Sequence, residues 1–215
     1  MKKQFDLLIF DWDGTLIDSI DWIAQCLQHA GKHYGFAVPD DTAAKNVIGL
    51  SIKNAIQTLF PSADEHTQTQ LITHYSEAYF SKQLSKDDLF PGVFDMLEHL
   101  KHSGYQLAVA TGKTRAGLDE ALQATGTGDL FCVTRCSDET ASKPDPKMLH
   151  EIMHHANIPK ERSVMIGDSI HDLQMALNAK ISAIAVSCGA HSEEFLQQYS
   201  PLRCLQQPTQ LLNII

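Results

Sequence analysis

The sequence has no run of basic residues and no long apolar segment. Lys and Arg number 17 against 26 Asp and Glu, which gives the 215-residue chain a formal charge of −9. An acidic chain without a basic patch is a poor partner for nucleic acid or for an anionic membrane surface, so we expect neither. The apolar run at 7–10 is bracketed by Asp6 and Asp11, and it is far shorter than the roughly 20 residues of a membrane helix. We therefore expect a cytoplasmic protein.

Paired cysteines are also absent. The five cysteines are scattered, odd in number and without a CxxC pair. We expect free thiols that are buried or chemically idle.

Short apolar runs alternate with helical stretches over most of the chain. Stripes of apolar residues at helical spacing include Val93, Met96, Leu97 and Leu100. Strands that alternate with helices predict an α/β fold, here a doubly wound, Rossmann-like parallel sheet covered on both faces. Ligands bind such sheets at the carboxyl ends of the strands. The predicted strands are 5–10, 106–110, 131–134, 163–166 and 181–186.

Residues 16–87 interrupt this alternation with helical patterns and no convincing strand. Such a length is too great for a structureless connection. We expect a small all-helical domain at 16–87, inserted after the first strand of a core domain made of 1–15 and 88–215. Its apolar stripes are Ile20, Ile23, Ala24, Leu27 and Tyr34, and then Leu71, Ile72, Tyr75 and Tyr79.

Polar residues follow four of the predicted strands. Asp11 and Asp13 come directly after the first strand, and two residues apart on an extended backbone they point the same way. An ionisable residue at the end of an all-apolar strand is costly unless it has a function, so both are predicted to be functional. The other three segments are Thr111-Gly112-Lys113, Ser142-Lys143-Pro144-Asp145-Pro146, and Gly167-Asp168-Ser169 with Asp172 beyond it.

If these segments converge, three or four carboxylates share one site. Two like charges ~5 Å apart repel by ~3 kcal/mol at an effective dielectric constant of ~20, so the cluster must take up protons or bind a cation. Oxygen ligands without nearby His or Cys suit a hard divalent ion, most commonly magnesium. Such an ion also screens a phosphate from an anionic nucleophile.

Structural roles compete with these functional ones. Asp145 before Pro146 is typical of a helix N-cap, and Ser169-x-x-Asp172 fits a capping box. Thr111 and Lys143, taken singly, could equally be structural. His150-Glu151-x-x-His154 matches a zinc-protease pattern, but its helix uses Leu149, Ile152 and Met153 for packing, so we expect solvent-facing histidines without zinc.

The four segments, in this order, resemble the haloacid dehalogenase superfamily of phosphohydrolases, and most closely its phosphoglycolate phosphatase-like branch. Asp11-x-Asp13-Gly14-Thr15 after an apolar strand and Gly167-Asp168-Ser169-x-x-Asp172 carry most of the resemblance. It spans essentially the whole chain, and the helical insertion resembles the cap of that family.

The resemblance implies a role for each matching residue. Asp11 would be the nucleophile, and Asp13 would protonate the leaving oxygen and then deprotonate water. Asp168 would bind Mg²⁺ together with Asp11 and the backbone carbonyl of Asp13, and Asp172 would support this centre. The phosphoryl oxygens would be held by Thr111, Gly112 and Lys143.

The segment 48–53 resembles the Gly-containing cap loop that faces the active site in this family. It places Gly49 near the substrate, and Lys53 could meet a substrate carboxylate; a solvated lysine is the competing interpretation.

The predicted function is that of a magnesium-dependent phosphatase of a small phosphorylated metabolite, with 2-phosphoglycolate the nearest precedent in the family. A sugar phosphomutase or an inorganic pyrophosphatase would use the same residues. A non-catalytic binding or regulatory protein is the alternative of another class, although Asp11, Asp13 and Lys143 are intact.

Overall fold

The computed structural model describes residues 4–215, so residues 1–3 of the predicted core domain lie outside it. Within this range, six strands form one sheet in the order β3-β2-β1-β4-β5-β6, with every neighbouring pair parallel. The strands are β1 Leu7–Phe10, β2 Gln106–Thr111, β3 Val133–Cys136, β4 Ser163–Gly167, β5 Ser182–Val186 and β6 Arg203–Leu205.

Nine α-helices connect or follow these strands in the described range. Their bounds are α1 Ile20–His33, α2 Asp41–Asn46, α3 Ile52–Leu59, α4 Glu65–Phe80, α5 Val93–His102, α6 Arg115–Thr125, α7 Lys147–Ala156, α8 Ile170–Ala179 and α9 Glu193–Gln197. None of them is both long and apolar enough to span a membrane.

The sheet is buried on both faces, as the apolar strands predict. Leu8 and Phe10 of β1 pack in one apolar cluster with α5 and α6, and Leu7 and Ile9 pack in a second cluster with α7 and α8. Because alternate side chains of a strand point to opposite faces, a four-residue run that is apolar throughout supplies both layers. The predicted doubly wound α/β fold is confirmed.

The chain runs outward from β1 to β2 and β3, then crosses back over β1 to β4 and continues to β5 and β6. Connections leave in opposite directions on the two sides of β1, which creates the crevice where doubly wound sheets bind ligands. The carboxyl ends of β1 and β4 lie side by side there.

The bounds of the five predicted strands agree with the sequence prediction to within two residues, and a sixth strand was not predicted. The first strand begins at Leu7 and the third at Val133, each two residues later than predicted. The short edge strand β6 was not predicted, because the three residues Arg203-Cys204-Leu205 do not form an apolar run. The predicted capping box of Ser169 and Asp172 is present on α8. The prediction of Asp145 as the N-cap of α7 is wrong by one residue: Pro146 is the N-cap, and Asp145, just before it, accepts a hydrogen bond from the Lys147 N–H (2.9 Å).

Helices α1 to α4 follow β1 and precede α5 along the chain, and they have an apolar cluster of their own. The segment that leads into α1 and the segment that leads from α4 back to α5 pair through one antiparallel bridge, between Ile17 and Leu89. Hydrogen bonds flank it, from the Asp18 N–H to Asp88 O (2.9 Å) and from the Phe90 N–H to Leu16 O (3.0 Å). The pairing of these two connecting segments supports our proposal that 16–87 is a separate helical domain. We call residues 16–87 the helical insertion.

Candidate active site

Asp11 and Asp168 are brought together by the ends of β1 and β4. The Asp11 N–H donates to the carbonyl oxygen of Ile166 (2.9 Å), which continues the β1–β4 pairing by one residue. Both aspartates are about 1% exposed. Two segments far apart in sequence therefore place two buried carboxylates in one crevice.

Lys143 lies beneath these carboxylates and is fully buried. Its Nζ is 2.7 Å from Asp11 Oδ1 and 2.6 Å from Asp172 Oδ1. The second oxygen of Asp172 accepts hydrogen bonds from the Ser169 hydroxyl (2.6 Å) and the Ser169 N–H (3.1 Å). Both oxygens of Asp172 are thus engaged, one with Lys143 and the other with Ser169.

A close-fitting cradle fixes the carboxylate of Asp168. The Thr15 hydroxyl donates to Oδ1 and the Ala190 N–H donates to Oδ2, both at 2.7 Å. A Cβ at Gly14 or at Gly189 would lie 2.2 or 2.1 Å from Asp168 Oδ2, so neither position tolerates a side chain. The sequence analysis missed Gly189 because an isolated glycine in a loop carries no motif.

The charges at this centre are unbalanced. Burial raises the pKa of Asp11 well above its usual range, although Lys143 opposes the shift. Burial, and then the charge of Asp172, raises the pKa of Asp168 to about 7. The pKa of Lys143 is lowered by burial but raised more by Asp11 and Asp172, so the ammonium stays charged. Asp11, Asp168 and Asp172 each offer an oxygen within 4.8 Å of the others, and one ammonium cannot neutralise three carboxylates.

Asp13 has polar partners of its own, different from those that hold Asp11. Its Oδ1 accepts a hydrogen bond from the Ser19 hydroxyl (2.7 Å) and forms an ion pair with Lys113 Nζ (3.1 Å). Lys113 Nζ also donates to the hydroxyl of Tyr79 on α4 (2.5 Å). Lys113 and Tyr79 were not predicted as site residues; the position of Lys113 two residues after β2 was the available signal.

Thr111 and Gly112 close the crevice at the end of β2. Thr111 is buried, and its Oγ1 accepts a hydrogen bond from the Lys113 N–H (3.2 Å). A Cβ at Gly112 would lie 2.4 Å from Leu50 O and 2.5 Å from Gly49 O. The helical insertion therefore lies directly on Gly112, at a distance that only glycine permits.

Two further contacts hold the helical insertion against the core. The Ser51 N–H donates to the hydroxyl of Ser142 (2.9 Å), and His171 Nε2 lies 2.8 Å from the carbonyl oxygen of Asn46. Ser142 and His171 are the sequence neighbours of Lys143 and Asp172, so the helical insertion contacts the core next to these two site residues.

Core and insertion enclose a cavity of about 90 Å³ above Asp11 and Asp13. Gly49 lines this cavity, and its φ of +99° suits glycine. Lys53 is exposed and lies outside the cavity wall, so a contact between Lys53 and a substrate stays a prediction. The volume is well below the 300–1,000 Å³ of pockets that bury drug-sized ligands, which limits the occupant to a small molecule.

The His150-Glu151-x-x-His154 pattern lies on the exposed side of α7. Both histidines are exposed, and Glu151 pairs with Arg135 at 2.9 Å. Within residues 4–215, the only group of three potential metal ligands with suitable spacing is Asp11, Asp168 and Asp172.

The doubly wound sheet thus carries buried carboxylates directly after its two central strands, β1 and β4. The chain belongs to the haloacid dehalogenase-like hydrolases: the model of that family matches residues 8–186. The predicted family is thereby confirmed.

Relatives and solved structures agree with this membership. The chain is 33% identical to a protein of Dickeya dadantii described as probable phosphatase IndB, over 91% of this chain and 86% of the relative. It is 30% identical to a phosphoglycolate phosphatase of Psychrobacter arcticus, over 100% and 96% of the two chains. A haloacid dehalogenase-like hydrolase from Bacteroides fragilis superposes with a TM-score of 0.87 at 25% identity, covering 96% of this chain and 99% of the other. The chain is accordingly a phosphoric monoester hydrolase.

Proposed function

We propose that the chain is a magnesium-dependent phosphatase that transfers the phosphoryl group of a small metabolite to Asp11 and then to water. The observation that carries this proposal is the placement of Asp11. Its carboxylate is buried at the end of the central strand, 2.7 Å from Lys143 and within reach of Asp168. A buried carboxylate in this setting must take up a proton or be neutralised by nearby cations, and the same cations would neutralise the charge of a bound phosphoryl group.

In the first step, a carboxylate oxygen of Asp11 attacks phosphorus, and the bond between phosphorus and the ester oxygen breaks. Asp13 donates its proton to the departing oxygen, which leaves as an alcohol. In the second step, Asp13 takes a proton from a water molecule that attacks the same phosphorus, which releases inorganic phosphate and restores Asp11. The two aspartates between β1 and Gly14 thus serve as nucleophile and as general acid and base.

Lys143 and the end of β2 would hold the phosphoryl oxygens. Lys143 already lies against Asp11, so its ammonium is placed to offset charge that develops during transfer. The Thr111 hydroxyl and the Gly112 N–H lie at the other edge of the crevice and supply hydrogen bonds.

Mg²⁺ fits the residues that are present. Asp11, Asp168 and the backbone carbonyl of Asp13 would hold it, and all three are oxygen donors of the kind this ion prefers. The cradle formed by Gly14, Gly189 and Thr15 keeps Asp168 in one orientation. When bound, the ion neutralises charge on the phosphoryl oxygens and on the carboxylates.

The helical insertion would act as a cap that excludes water from the aspartyl-phosphate until the leaving group has gone. Its direct contact with Gly112 and its hydrogen bond to Ser142 support this role.

The names of relatives suggest substrates for a first panel. The relative in Psychrobacter arcticus is named a phosphoglycolate phosphatase, and one in Halalkalibacterium halodurans, 26% identical over 99% of this chain and 97% of its own, is named a pyrophosphatase. A phosphomutase would return the phosphoryl group to a sugar phosphate, so steady phosphate release without a bisphosphate activator would argue against that alternative.

Hydrolysis of p-nitrophenyl phosphate tests the proposal. We expect turnover that requires Mg²⁺, is abolished by EDTA and is lost in Asp11→Asn. Asp145→Asn, which changes an aspartate at the start of α7, is the matched control and should retain activity. Turnover that persists in Asp11→Asn, or none in the wild type with Mg²⁺, would refute the proposal.

A further inference from the structure

The cavity above Asp11 has two chemically different halves. The floor belongs to the core and is polar. The wall contributed by the helical insertion is apolar, and it extends from the active-site entrance into the apolar cluster of α1 to α4. Its residues include Ile23, Leu27, Val47, Ile52, Ala55 and Tyr75.

In the described part of the chain, no charged side chain of the helical insertion lines this cavity. The cavity wall receives a single cation, Lys113, and that comes from the core. Lys113 is engaged already, with Asp13 at 3.1 Å and the Tyr79 hydroxyl at 2.5 Å. Its positive charge is balanced by Asp13, so Lys113 is a positioning residue for Asp13.

A second anionic group on the substrate would therefore meet an unfavourable surface. A carboxylate or second phosphate placed against the apolar wall would lose its hydration without gaining a partner. It would also add to the charge of Asp11, Asp13 and the transferred phosphoryl group. A methylene chain or a ring placed there would gain from leaving water.

We propose that the preferred substrates are monophosphate esters whose leaving alcohol is small, uncharged and apolar beyond its ester oxygen. This inference rests on the proposed phosphatase function and narrows it. It also separates the chain from the substrates in the names of its phosphoglycolate phosphatase and pyrophosphatase relatives, both of which carry a second anionic group.

The first test compares wild-type kcat/KM on propyl phosphate and on 2-phosphoglycolate, which are similar in size and differ in the carboxylate. We expect propyl phosphate to be at least tenfold better. Along the series methyl, ethyl, propyl and butyl phosphate, kcat/KM should rise up to about fourfold per carbon, the equivalent of ~0.8 kcal/mol per buried methylene, until the cavity is full.

Two variants locate this selectivity in the apolar wall. Ala55→Leu adds volume to a side chain that lines the cavity and so reduces the space for the alkyl chain; the gain from propyl to butyl phosphate should disappear. Ser76→Lys adds a cation to the wall, so the preference against 2-phosphoglycolate should fall at least fivefold. Gln57→Leu, an exposed position on the same helix as Ala55, is the matched control and should leave the series unchanged.

The outcomes separate the inference from the function on which it rests. Absence of phosphate release from every ester in the presence of Mg²⁺ would overturn the phosphatase proposal itself. Turnover that favours 2-phosphoglycolate or pyrophosphate over propyl phosphate would overturn only the inference about the leaving group. If the preference for 2-phosphoglycolate were also lost in Lys53→Met, the predicted contact between Lys53 and the substrate carboxylate would replace the inference of an uncharged leaving group.

Discussion

Replacement of Lys143 by methionine is the sharpest test of how the site is held together. The substitution keeps an unbranched side chain of similar length but removes a fully buried ammonium that lies 2.7 Å from Asp11 and 2.6 Å from Asp172. Removing one partner of a buried ion pair costs about 3–5 kcal/mol, because the remaining charge stays buried without compensation. That is a large part of the ~5–15 kcal/mol by which a folded protein is stable.

The cost should depend on pH in a direction set by the carboxylates. Burial raises the pKa values of Asp11 and Asp168 in the folded state, for Asp168 to about 7, whereas an unfolded aspartate titrates near 3.9. The folded state thus binds protons more tightly than the unfolded state, and it gains stability as pH falls through the folded values. In metal-free protein, the difference between Lys143→Met and wild type should be largest near pH 8 and smaller near pH 5.5. Mg²⁺ should reduce it at either pH.

Urea unfolding followed by circular dichroism, in EDTA and then in Mg²⁺, measures these differences. Lys147→Met is the matched control, because the Lys147 side chain is 58% exposed and its ion pair with Glu151 is long, at 4.0 Å. This substitution should change the free energy of unfolding by no more than about 0.5 kcal/mol. The reasoning is wrong if the two variants unfold alike, or if the cost of Lys143→Met is the same at both pH values and with Mg²⁺.

Three further predictions follow from the same geometry. Asp13→Asn should lower kcat on p-nitrophenyl phosphate by about 10²–10⁴-fold, the usual contribution of a general acid and base. Stopped-flow measurement of p-nitrophenol release would show whether phosphoryl transfer to Asp11 or hydrolysis of the intermediate is slowed. An unchanged kcat would contradict the role of Asp13. Gly112→Ala should reduce kcat/KM at least tenfold, because its Cβ would press against Leu50 O and Gly49 O, and wild-type activity would show that this closed contact is not used. Below pH 7, the Mg²⁺ affinity measured by calorimetry should rise about tenfold for each unit of increase in pH, because the ion must displace one proton from Asp168. An affinity that does not change with pH would count against Asp168 as a ligand.

The sheet and its central strands could be predicted because burial on both faces leaves a strong mark on the sequence. A run such as Leu7-Leu8-Ile9-Phe10 has no polar face, and an aspartate directly after it is conspicuous. The edge strand β6 left no such mark, because an edge strand of three residues with an exposed arginine needs no apolar run.

Parts of the site depend on contacts that a single sequence does not display. Gly189 matters because of its distance from Asp168, which is set by the packing of the loop after β5. Lys113 pairs with Asp13 of the core and donates to Tyr79 of the helical insertion, and a single sequence shows neither contact. Lys53, which the sequence suggested as a contact for a substrate carboxylate, is exposed because the apolar side of α3 packs inward.

The central claim is that Asp11 receives the phosphoryl group at a centre shared with Asp168 and Lys143. A crystal structure of the protein with Mg²⁺ and beryllofluoride, a phosphoryl mimic that bonds to aspartate, tests it most directly. We predict beryllium bonded to a carboxylate oxygen of Asp11, Lys143 in contact with its fluorides, and Mg²⁺ bound by Asp168. An Asp11 without beryllofluoride, or a Mg²⁺ bound away from Asp168, would contradict the account.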